Sequence, residues 1–389
     1  MRILVVDLLC NSPYYCAPLV AALNAAGATA ELASPQFYLE PSYLAGVPRP
    51  RWLVDVAVHA RRPRALRLAA RAIEVAINGP RLLAAIRRGS YDVVHVQWIP
   101  FEARSRLFMR RLRSAVRRGG ARLVVTVHNA LPHDRPGTDV ATIRGNLDAA
   151  DRLIALTAGV AGDMAGIVGV SRAVDVIPHG PLFVDQPIPE RDVAARRLGL
   201  PIDRPTVLFL GLIRPYKGID LLAEAWPEVR AAVPTAQLVV VGRRADRAAE
   251  DQVERIRALD GVTVTDRYVS VSEMVAYHAA SDVVVFPYRR ISQSGALMTA
   301  LGLGRPTVVT PIPGLRDQVA GFESPMVADD VTAAALARAL VAALRDPSGR
   351  GAAAERDRGA LDASATGWPA IARATLETYE RAAGDRAVR

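Results

Sequence analysis

One basic residue stands apart from the other positive charges of this chain. Lys217 is the only lysine among 49 lysine and arginine residues, and it lies with Arg214 in the stretch GLIRPYKGIDLL. Arginine and lysine are equivalent as plain surface charges, but a lysine ammonium is compact whereas a guanidinium is broad and planar. A position that keeps lysine in such an arginine-rich chain is therefore expected to need the smaller group.

The surroundings of Lys217 predict an anion site. VLFLG predicts a buried strand, and the pattern IDLLAEAWPEV predicts a helix that begins just after Gly218. Free N–H groups and the helix dipole attract anions to a helix N-terminus, and Gly211 and Gly218 permit a tight turn. Since Arg214 and Lys217 share this turn, the expected ligand is a diphosphate. The lysine precedes the second glycine and no Ser or Thr follows it, so the stretch is not a Walker loop.

Length and composition are typical of a cytoplasmic globular protein with two domains. The chain has 389 residues, of which 51% are hydrophobic and 23% charged. No stretch approaches the roughly 18 apolar residues of a membrane span, and MRILVVDLLCNSPYY is typical of a first strand rather than a signal peptide. Cys10 and Cys16 are too few for a disulfide framework or a zinc site, so no metal is expected.

The net charge of +10 favours acidic partners. In RRPRALRLAARAIEVAINGPRLLAAIRRG and FEARSRLFMRRLRSAVRRGG, arginines alternate with apolar residues at helical spacing. Such segments are solvated helix faces, or they attach the protein peripherally to the inner face of an anionic membrane. A nucleic-acid partner is not expected, because stacking aromatic residues and a nucleic-acid motif are both missing.

Short β-branched runs alternate with helical patterns, which predicts an α/β fold of two doubly wound, Rossmann-like domains. The expected divisions are a first domain (1–183), a linker (184–205), a second domain (206–363) and a C-terminal helix (364–389) that crosses back to the first. Parallel sheets bind ligands at the carboxyl ends of their strands, so we expect the domains to face each other across a ligand-binding cleft. No G-x-G-x-x-G follows the first strand, so nicotinamide dinucleotide binding is not expected.

Several stretches resemble the bacterial family 4 glycosyltransferases, which have the GT-B fold. They are FLGLIRPYKGIDLLAEAW, VIPHG, ASDVVVFPY and SGALMTALGLGRPTVV, with TVHNALPHD and ADRLIALT in the first half. The resemblance implies that a sugar passes, with retention, from a nucleotide-diphosphate sugar to a hydroxyl acceptor without a metal or a separate cofactor. It assigns His128, Arg214 and Lys217 to catalysis. UDP-, GDP- and dTDP-sugars remain open as donors, and glycans, lipid-linked sugars and natural products as acceptors.

The chain departs from the family at one donor motif. Many members carry two glutamates, with seven residues between them, before A-M-A-x-G-x-P, but here Thr299 and Ile291 occupy these positions. The stretch ISQSG instead offers hydroxyls and a helix N-terminus for phosphate, and Thr299 is expected to bond the ribose. The expected donor-binding residues are Gly211, Arg214, Lys217, Gly242, Arg243, Ser292, Gln293, Ser294, Gly295 and Thr299.

Residues within or just after two predicted strands of the first domain, YDVVHVQW and RLVVTVHN, are the acceptor-side candidates. They are His95, Trp98, Asn129, His133 and Asp134. Three other interpretations remain: a nucleotide-sugar epimerase of the same fold, a non-catalytic polysaccharide or membrane-surface binding protein, and an enzyme that binds pyridoxal phosphate through Lys217.

Overall fold

The computed structural model describes residues 1–59, 64–99, 105–131, 139–245 and 248–387. The described chain divides into two compact units, each with a parallel sheet and an apolar core. Unit 1 contains Met1–Gly180 and the residues from Asp362 onward, whereas unit 2 contains Pro181–Leu361. The predicted α/β class is confirmed.

Unit 1 is built on short strands of mostly buried Val, Leu and Ile. Its strands are β1 (Arg2–Val6), β2 (Thr29–Ala33), β3 (Val93–Val96), β4 (Arg122–Val127), β5 (Arg152–Ala155) and β6 (Val174–Val176). Between them run α1 (Pro13–Ala25), α2 (Arg64–Arg87), α3 (Arg106–Arg118), α4 (Val140–Leu147) and α5 (Ala158–Asp163). Among the described residues the strand order is β2-β1-β3-β4-β5-β6. The order reverses between β1 and β3, where parallel sheets open a crevice for ligands.

Unit 2 repeats the pattern. Its strands are β7 (Thr206–Leu210), β8 (Gln237–Val241), β9 (Val262–Thr265), β10 (Val283–Phe286), β11 (Thr307–Val309) and β12 (Met326–Val327). Its helices are α6 (Arg191–Leu198), α7 (Ile219–Ala232), α8 (Ala248–Arg257), α9 (Val271–Ala279), α10 (Gly295–Gly302), α11 (Pro313–Val319), α12 (Ala333–Arg345) and α13 (Pro347–Ala360). The described strands lie in the order β12-β11-β10-β7-β8-β9, so the order reverses between β7 and β10. The loops after these two strands carry most of the predicted donor-binding residues.

Two segments outside the sheets bear on the domain organisation. Part of the predicted linker 184–205 is structured, because it includes α6, whose Ala194 and Ala195 are buried in the core of unit 2. The last helix, α14 (Trp368–Ala387), packs against α1 and beside β4 within unit 1. No helix in the described part of the chain is both long and apolar enough to cross a bilayer.

Candidate functional site

The turn between β7 and α7 contains Lys217 and is shaped by two glycines with positive φ. Gly211 has a φ of +147° and Gly218 a φ of +70°, with the 3₁₀ turn Pro215–Lys217 between them. The N–H of Lys217 donates to the Arg214 carbonyl at 3.0 Å. A side chain on Gly218 would place its Cβ 1.8 Å from the Pro287 carbonyl oxygen, so only glycine permits this approach to the loop after β10.

Neighbouring loops hold this turn from two sides. The N–H of Arg289, in the loop after β10, donates to the Tyr216 carbonyl at 2.9 Å, and the Arg289 guanidinium pairs with Asp220 at 2.7 Å. Three residues after β7, the N–H of Ile213 donates to the carbonyl of Arg243, in the loop after β8, at 3.0 Å. Because backbone and side-chain contacts both fix the turn, its N–H groups and charges are preorganised before a ligand arrives.

Within the described residues, the Lys217 ammonium has neither a hydrogen bond nor an ion pair. Its side chain is partly exposed, and Nζ lies 5.1 Å from the centre of the Tyr288 ring. Desolvation lowers the pKa of Lys217, the charge of Arg214 lowers it further, and Tyr216 acts in the opposite direction. A bound anion would replace the missing counter-charge and restore the pKa.

Gly242 and Arg243 directly follow β8, next to this turn. Gly242 has a φ of +148°, and a Cβ there would lie 1.8 Å from the Gly211 carbonyl oxygen, so only glycine at position 242 lets the two loops meet. Arg243 is exposed. The next residue, Arg244, instead pairs with Asp266 and Glu250. The predicted donor-binding residue Arg243 therefore adds a positive charge beside the Lys217 turn.

The predicted serines lie at the N-terminus of α10. The Ser294 hydroxyl accepts a hydrogen bond from the Leu297 N–H at 3.2 Å, and its own N–H donates to Gln318 at 2.6 Å. Ser294 is thus the helix cap, with Gly295 as the first residue of α10 and Ser292 partly exposed just before it. The Gln293 side-chain oxygen is buried without a hydrogen-bond partner among the described residues.

Thr299 lies inside α10, away from bulk solvent. It is 4% exposed, and its hydroxyl donates to the Gly295 carbonyl at 2.9 Å, one turn earlier in the same helix. This bond uses the single hydroxyl proton, so Thr299 could only accept a hydrogen bond from a ribose. Ile291, at the other position where many family members have a glutamate, packs against the core of unit 2.

In unit 1, His128 is buried in a group of aromatic residues. Its ring stacks on Trp98 with centroids 4.8 Å apart, and the ring of Tyr15 meets it edge-on at 5.5 Å. Its Nε2 lies 3.3 Å from the side-chain oxygen of Gln97, which fixes the proton on that nitrogen. Burial is the main cause that lowers the pKa of His128 to about 3, with smaller effects from His179 and His95. The imidazole is therefore neutral at physiological pH.

His95 is more deeply buried than an acceptor-side residue is expected to be. It is 1% exposed, and its two ring nitrogens lie 2.7 Å from the Tyr379 hydroxyl of α14 and 2.7 Å from the Thr126 hydroxyl. Burial lowers its pKa to about 3. Both nitrogens have partners within unit 1, so the geometry gives His95 a role in joining α14 to the sheet.

The remaining acceptor-side candidates fall into two groups. Trp98 and Asn129 are partly exposed and line a pocket beside His128 that also contacts Asn146 of α4. The indole N–H of Trp98 donates to Ser12, in the loop after β1, at the crevice of unit 1. His133 and Asp134 lie outside the described residues.

Sequence reasoning missed three residues that contact the predicted ones. Tyr288 lies against Lys217, and Gln97 and Tyr15 contact His128. Gln97 directly follows β3 and Tyr288 lies two residues after β10, at the carboxyl ends of parallel strands where ligands bind, and that position is the signal that could have identified them. Tyr15 lies in α1 and gave no such signal.

Comparison with known proteins defines the class of protein. A family model described as "Glycosyl transferases group 1" matches residues 204–346, and one described as "Glycosyl transferase 4-like domain" matches residues 13–180. Together these matches cover every strand of the two sheets except β1. The chain belongs to the group 1 glycosyltransferases, with the GT-B fold, which confirms the resemblance.

Two relatives and one solved structure illustrate the similarity. The D-inositol 3-phosphate glycosyltransferase of Kineococcus radiotolerans is 32% identical over 260 residues, covering 62% of this chain and 59% of that protein. The protein of the same name from Acidothermus cellulolyticus is 30% identical over 324 residues, covering 77% of this chain and 70% of that protein. Thus the chain spans about three fifths of the first relative's length. Anabaena HepE, solved with UDP and glucose, has a similar fold: its TM-score is 0.71 at 14% identity, covering 98% of this chain and 100% of HepE.

Proposed function

We propose that this protein transfers a sugar, with retention, from a nucleotide-diphosphate sugar to a hydroxyl acceptor, without an essential metal ion. One observation carries the proposal: a lysine ammonium without a counter-charge in the described chain lies just before the N-terminus of α7. Arg214 lies in the same turn. Two cations and a helix N-terminus match the charge of a diphosphate.

In this proposal the protein stabilises the leaving group. When the sugar–oxygen bond breaks, negative charge accumulates on the nucleotide diphosphate, and Arg214 and Lys217 are already positioned to stabilise it. Hydrogen-bond donors that are already in position stabilise this negative charge more strongly in a water-poor site than in bulk water. Because these two residues supply positive charge, transfer is expected to continue in the presence of EDTA.

The acceptor hydroxyl must lose a proton as it attacks the sugar. In front-side transfer the departing phosphate oxygen takes that proton, so no protein base is required. His128 suits such a reaction, because a neutral imidazole with a pKa of about 3 does not compete for the proton near neutral pH. We assign His128 the role of orienting the donor sugar through a hydrogen bond.

The comparisons suggest which substrates to test first. UDP-glucose is the first donor to test, because HepE was solved with UDP and glucose. D-Inositol 3-phosphate is the first acceptor to test, because relatives at 30–32% identity are named for it. A phosphorylated acceptor also suits a chain with a net charge of +10.

We further propose that the protein works in the cytoplasm, at the inner face of an anionic membrane. Leu66 and Leu68 of α2 and Leu107 of α3 are more than half exposed, and exposed arginines such as Arg110 and Arg117 lie on α3. Apolar side chains between cations suit the surface of an anionic bilayer. Sedimentation with phosphatidylglycerol vesicles, but not with phosphatidylcholine vesicles, is expected, and equal binding to both or to neither would contradict this proposal.

The function is tested by binding and then by turnover. UDP, GDP and dTDP are compared by thermal shift, where the true donor nucleotide should raise Tm. Transfer from the matching sugar nucleotide is then followed by mass spectrometry with and without acceptor. Lys217→Ala should reduce kcat/KM by about 10²- to 10³-fold, roughly 3–4 kcal/mol, with unchanged Tm of the free protein.

Arg230→Ala is the matched control, since Arg230 pairs with Asp260 at the far end of α7. The Arg230→Ala variant should keep the sugar-transfer activity of the wild type. Unchanged nucleotide affinity in Lys217→Ala would overturn the proposal. Conversion of the sugar nucleotide without an acceptor would favour the epimerase instead.

A further inference from the structure

Tyr288 is a buried aromatic residue in the loop after β10, beside the Lys217 ammonium. It is 1% exposed, and its ring centre lies 5.1 Å from Nζ. A cation within about 6 Å of an aromatic ring face is attracted by the ring's negative π surface. Gly211 also borders the ammonium, because a Cβ on that glycine would lie only 3.0 Å from Nζ.

The Tyr288 ring has a fixed position. It meets the ring of Phe286 edge-on, with centroids 5.7 Å apart and planes at 81°. The Tyr288 carbonyl accepts a hydrogen bond from the Thr310 hydroxyl at 2.5 Å. A ring held by packing and by its backbone can in turn hold a flexible lysine, whose side chain otherwise has many rotamers.

The Tyr288 hydroxyl adds little to this arrangement. It is buried and has no hydrogen-bond partner of normal geometry among the described residues, although the Ser294 hydroxyl lies nearby. The face of the ring contacts the cation, whereas the hydroxyl does not. A phenylalanine would therefore provide the same aromatic face.

We propose that Tyr288 is a positioning residue that holds the Lys217 ammonium in place for a diphosphate without neutralising it. This inference rests on the proposed function of Lys217. A carboxylate could hold the ammonium equally well, but it would compete with the ligand for the same N–H donors. An aromatic ring attracts the cation while all three N–H groups stay available for phosphate oxygens.

The arrangement also explains why the chain keeps a single lysine. Lys217 Nζ has close neighbours on two sides, because a Cβ on Gly211 would lie 3.0 Å away and the Tyr288 ring centre lies 5.1 Å away. A planar guanidinium is larger than an ammonium and cannot replace it here without displacing the turn. Lys217→Arg should therefore bind nucleotide diphosphate more weakly than the wild type, although the charge is conserved.

The single lysine makes the contact directly observable by NMR. In protein labelled with ¹³C-lysine, only the side chain of Lys217 gives a signal. Protons above an aromatic face are shielded, so the ε-protons should resonate upfield of their usual position in the wild type and in Tyr288→Phe. They should return to the usual position in Tyr288→Leu. Usual shifts in the wild type would overturn the inference.

A double-mutant cycle then tests the functional consequence. By calorimetry, Tyr288→Leu should weaken UDP binding about tenfold, or the binding of whichever diphosphate the protein prefers, and Tyr288→Phe less than about twofold. In a Lys217→Ala background, Tyr288→Leu should have no further effect. The affinity for uridine, which carries no phosphate, should be the same in all variants that fold, as judged by circular dichroism.

The outcomes separate this inference from the proposed function. If Lys217→Ala weakens diphosphate binding but Tyr288→Leu does not, Lys217 acts without Tyr288 and the inference is wrong. If Tyr288→Leu weakens binding equally with and without Lys217, Tyr288 has only a structural role. If Lys217→Ala leaves diphosphate binding unchanged, the proposed function itself is wrong. If Tyr288→Leu does not fold, the chemical shift of the Lys217 ε-protons in the wild type still shows whether the ammonium lies over the Tyr288 ring.

Discussion

The imidazole of His128 lies parallel to the indole of Trp98, with 4.8 Å between the ring centroids and 7° between the ring planes. Trp98 directly follows the loop residue Gln97, whose side-chain oxygen lies 3.3 Å from the same imidazole. Two successive residues after β3 thus set both the plane of the His128 ring and the position of its proton.

Removal of the Trp98 indole should lower the turnover number more than it weakens nucleotide binding. Trp98→Ala is expected to lower kcat about tenfold, because a misplaced imidazole can no longer orient the sugar. UDP affinity should remain, because the residues proposed to bind it lie in unit 2. Steady-state kinetics and calorimetry measure the two effects. Trp52→Ala, the same change elsewhere in unit 1, should leave kcat unchanged, and a normal kcat in Trp98→Ala would remove the proposed role of His128.

Gly218 should tolerate no side chain. Gly218→Ala is expected to destabilise the protein by about 2–4 kcal/mol, because a Cβ would overlap the Pro287 carbonyl and φ is +70°. Gly120→Ala is the matched control: φ is +75°, but nothing lies within 4 Å of the added Cβ. The control should lose only about 1 kcal/mol. Equal losses in denaturant unfolding would mean that close packing at Gly218 is unimportant.

The hydrogen bond between Tyr379 and His95 should stabilise the attachment of α14. Tyr379→Phe leaves a buried ring nitrogen without its partner, which is expected to cost about 1–3 kcal/mol. Tyr15→Phe is a suitable control, because within the described residues the Tyr15 hydroxyl makes no hydrogen bond. Thermal unfolding of the two variants measures the difference. A similar Tm in both would show that the bond adds no net stability.

Buried neutral histidines should make the fold sensitive to acid. Burial lowers the pKa of His95 and His128 to about 3, and that of His179 and His278 to about 4. An unfolded histidine binds a proton near pH 6.5, whereas these folded ones do not. The unfolded state therefore binds more protons below about pH 6.5, and the free energy of unfolding should fall from there toward pH 4.

A histidine variant tests whether buried histidines cause the pH dependence of the free energy of unfolding. His278→Asn removes one such group and should reduce the slope by up to about 1.4 kcal/mol per pH unit. Asp7 and Glu74 act in the opposite direction, because burial raises their pKa values and favours the protonated fold. Denaturant titrations between about pH 7 and pH 5 measure the slope. An identical slope in His278→Asn would contradict this assignment.

Most of the fold was predictable, because buried parallel strands are short apolar runs. The strands from β1 to β11 all coincide with predicted strands, although β6 and β9 are only partly buried and include polar residues. The exception is β12, whose two residues, Met326 and Val327, are too few to form a pattern. Helix α6 was also missed, since the prolines around it favoured a linker.

The candidate site was predictable only where one residue carried its own signal. Lys217 was conspicuous by its type, and Gly211 and Gly218 by their spacing. The contact between Lys217 and Tyr288 depends on the alignment of β7 with β10, in which Val207 pairs with Val283, 76 residues later in the sequence. Likewise, the hydroxyl of Thr299 is used within its own helix, which the residue type does not reveal.

The division of the chain has a consequence for its biosynthesis. Unit 2 is one uninterrupted segment, whereas unit 1 needs α14, which leaves the ribosome only after all of unit 2. Until then the surface of α1 that α14 covers is bare, and Tyr379 has not yet reached His95. Unit 2 can therefore form its core before unit 1 is complete. A nascent chain stalled before residue 368 should depend on chaperones to shield the apolar surface that α14 would cover.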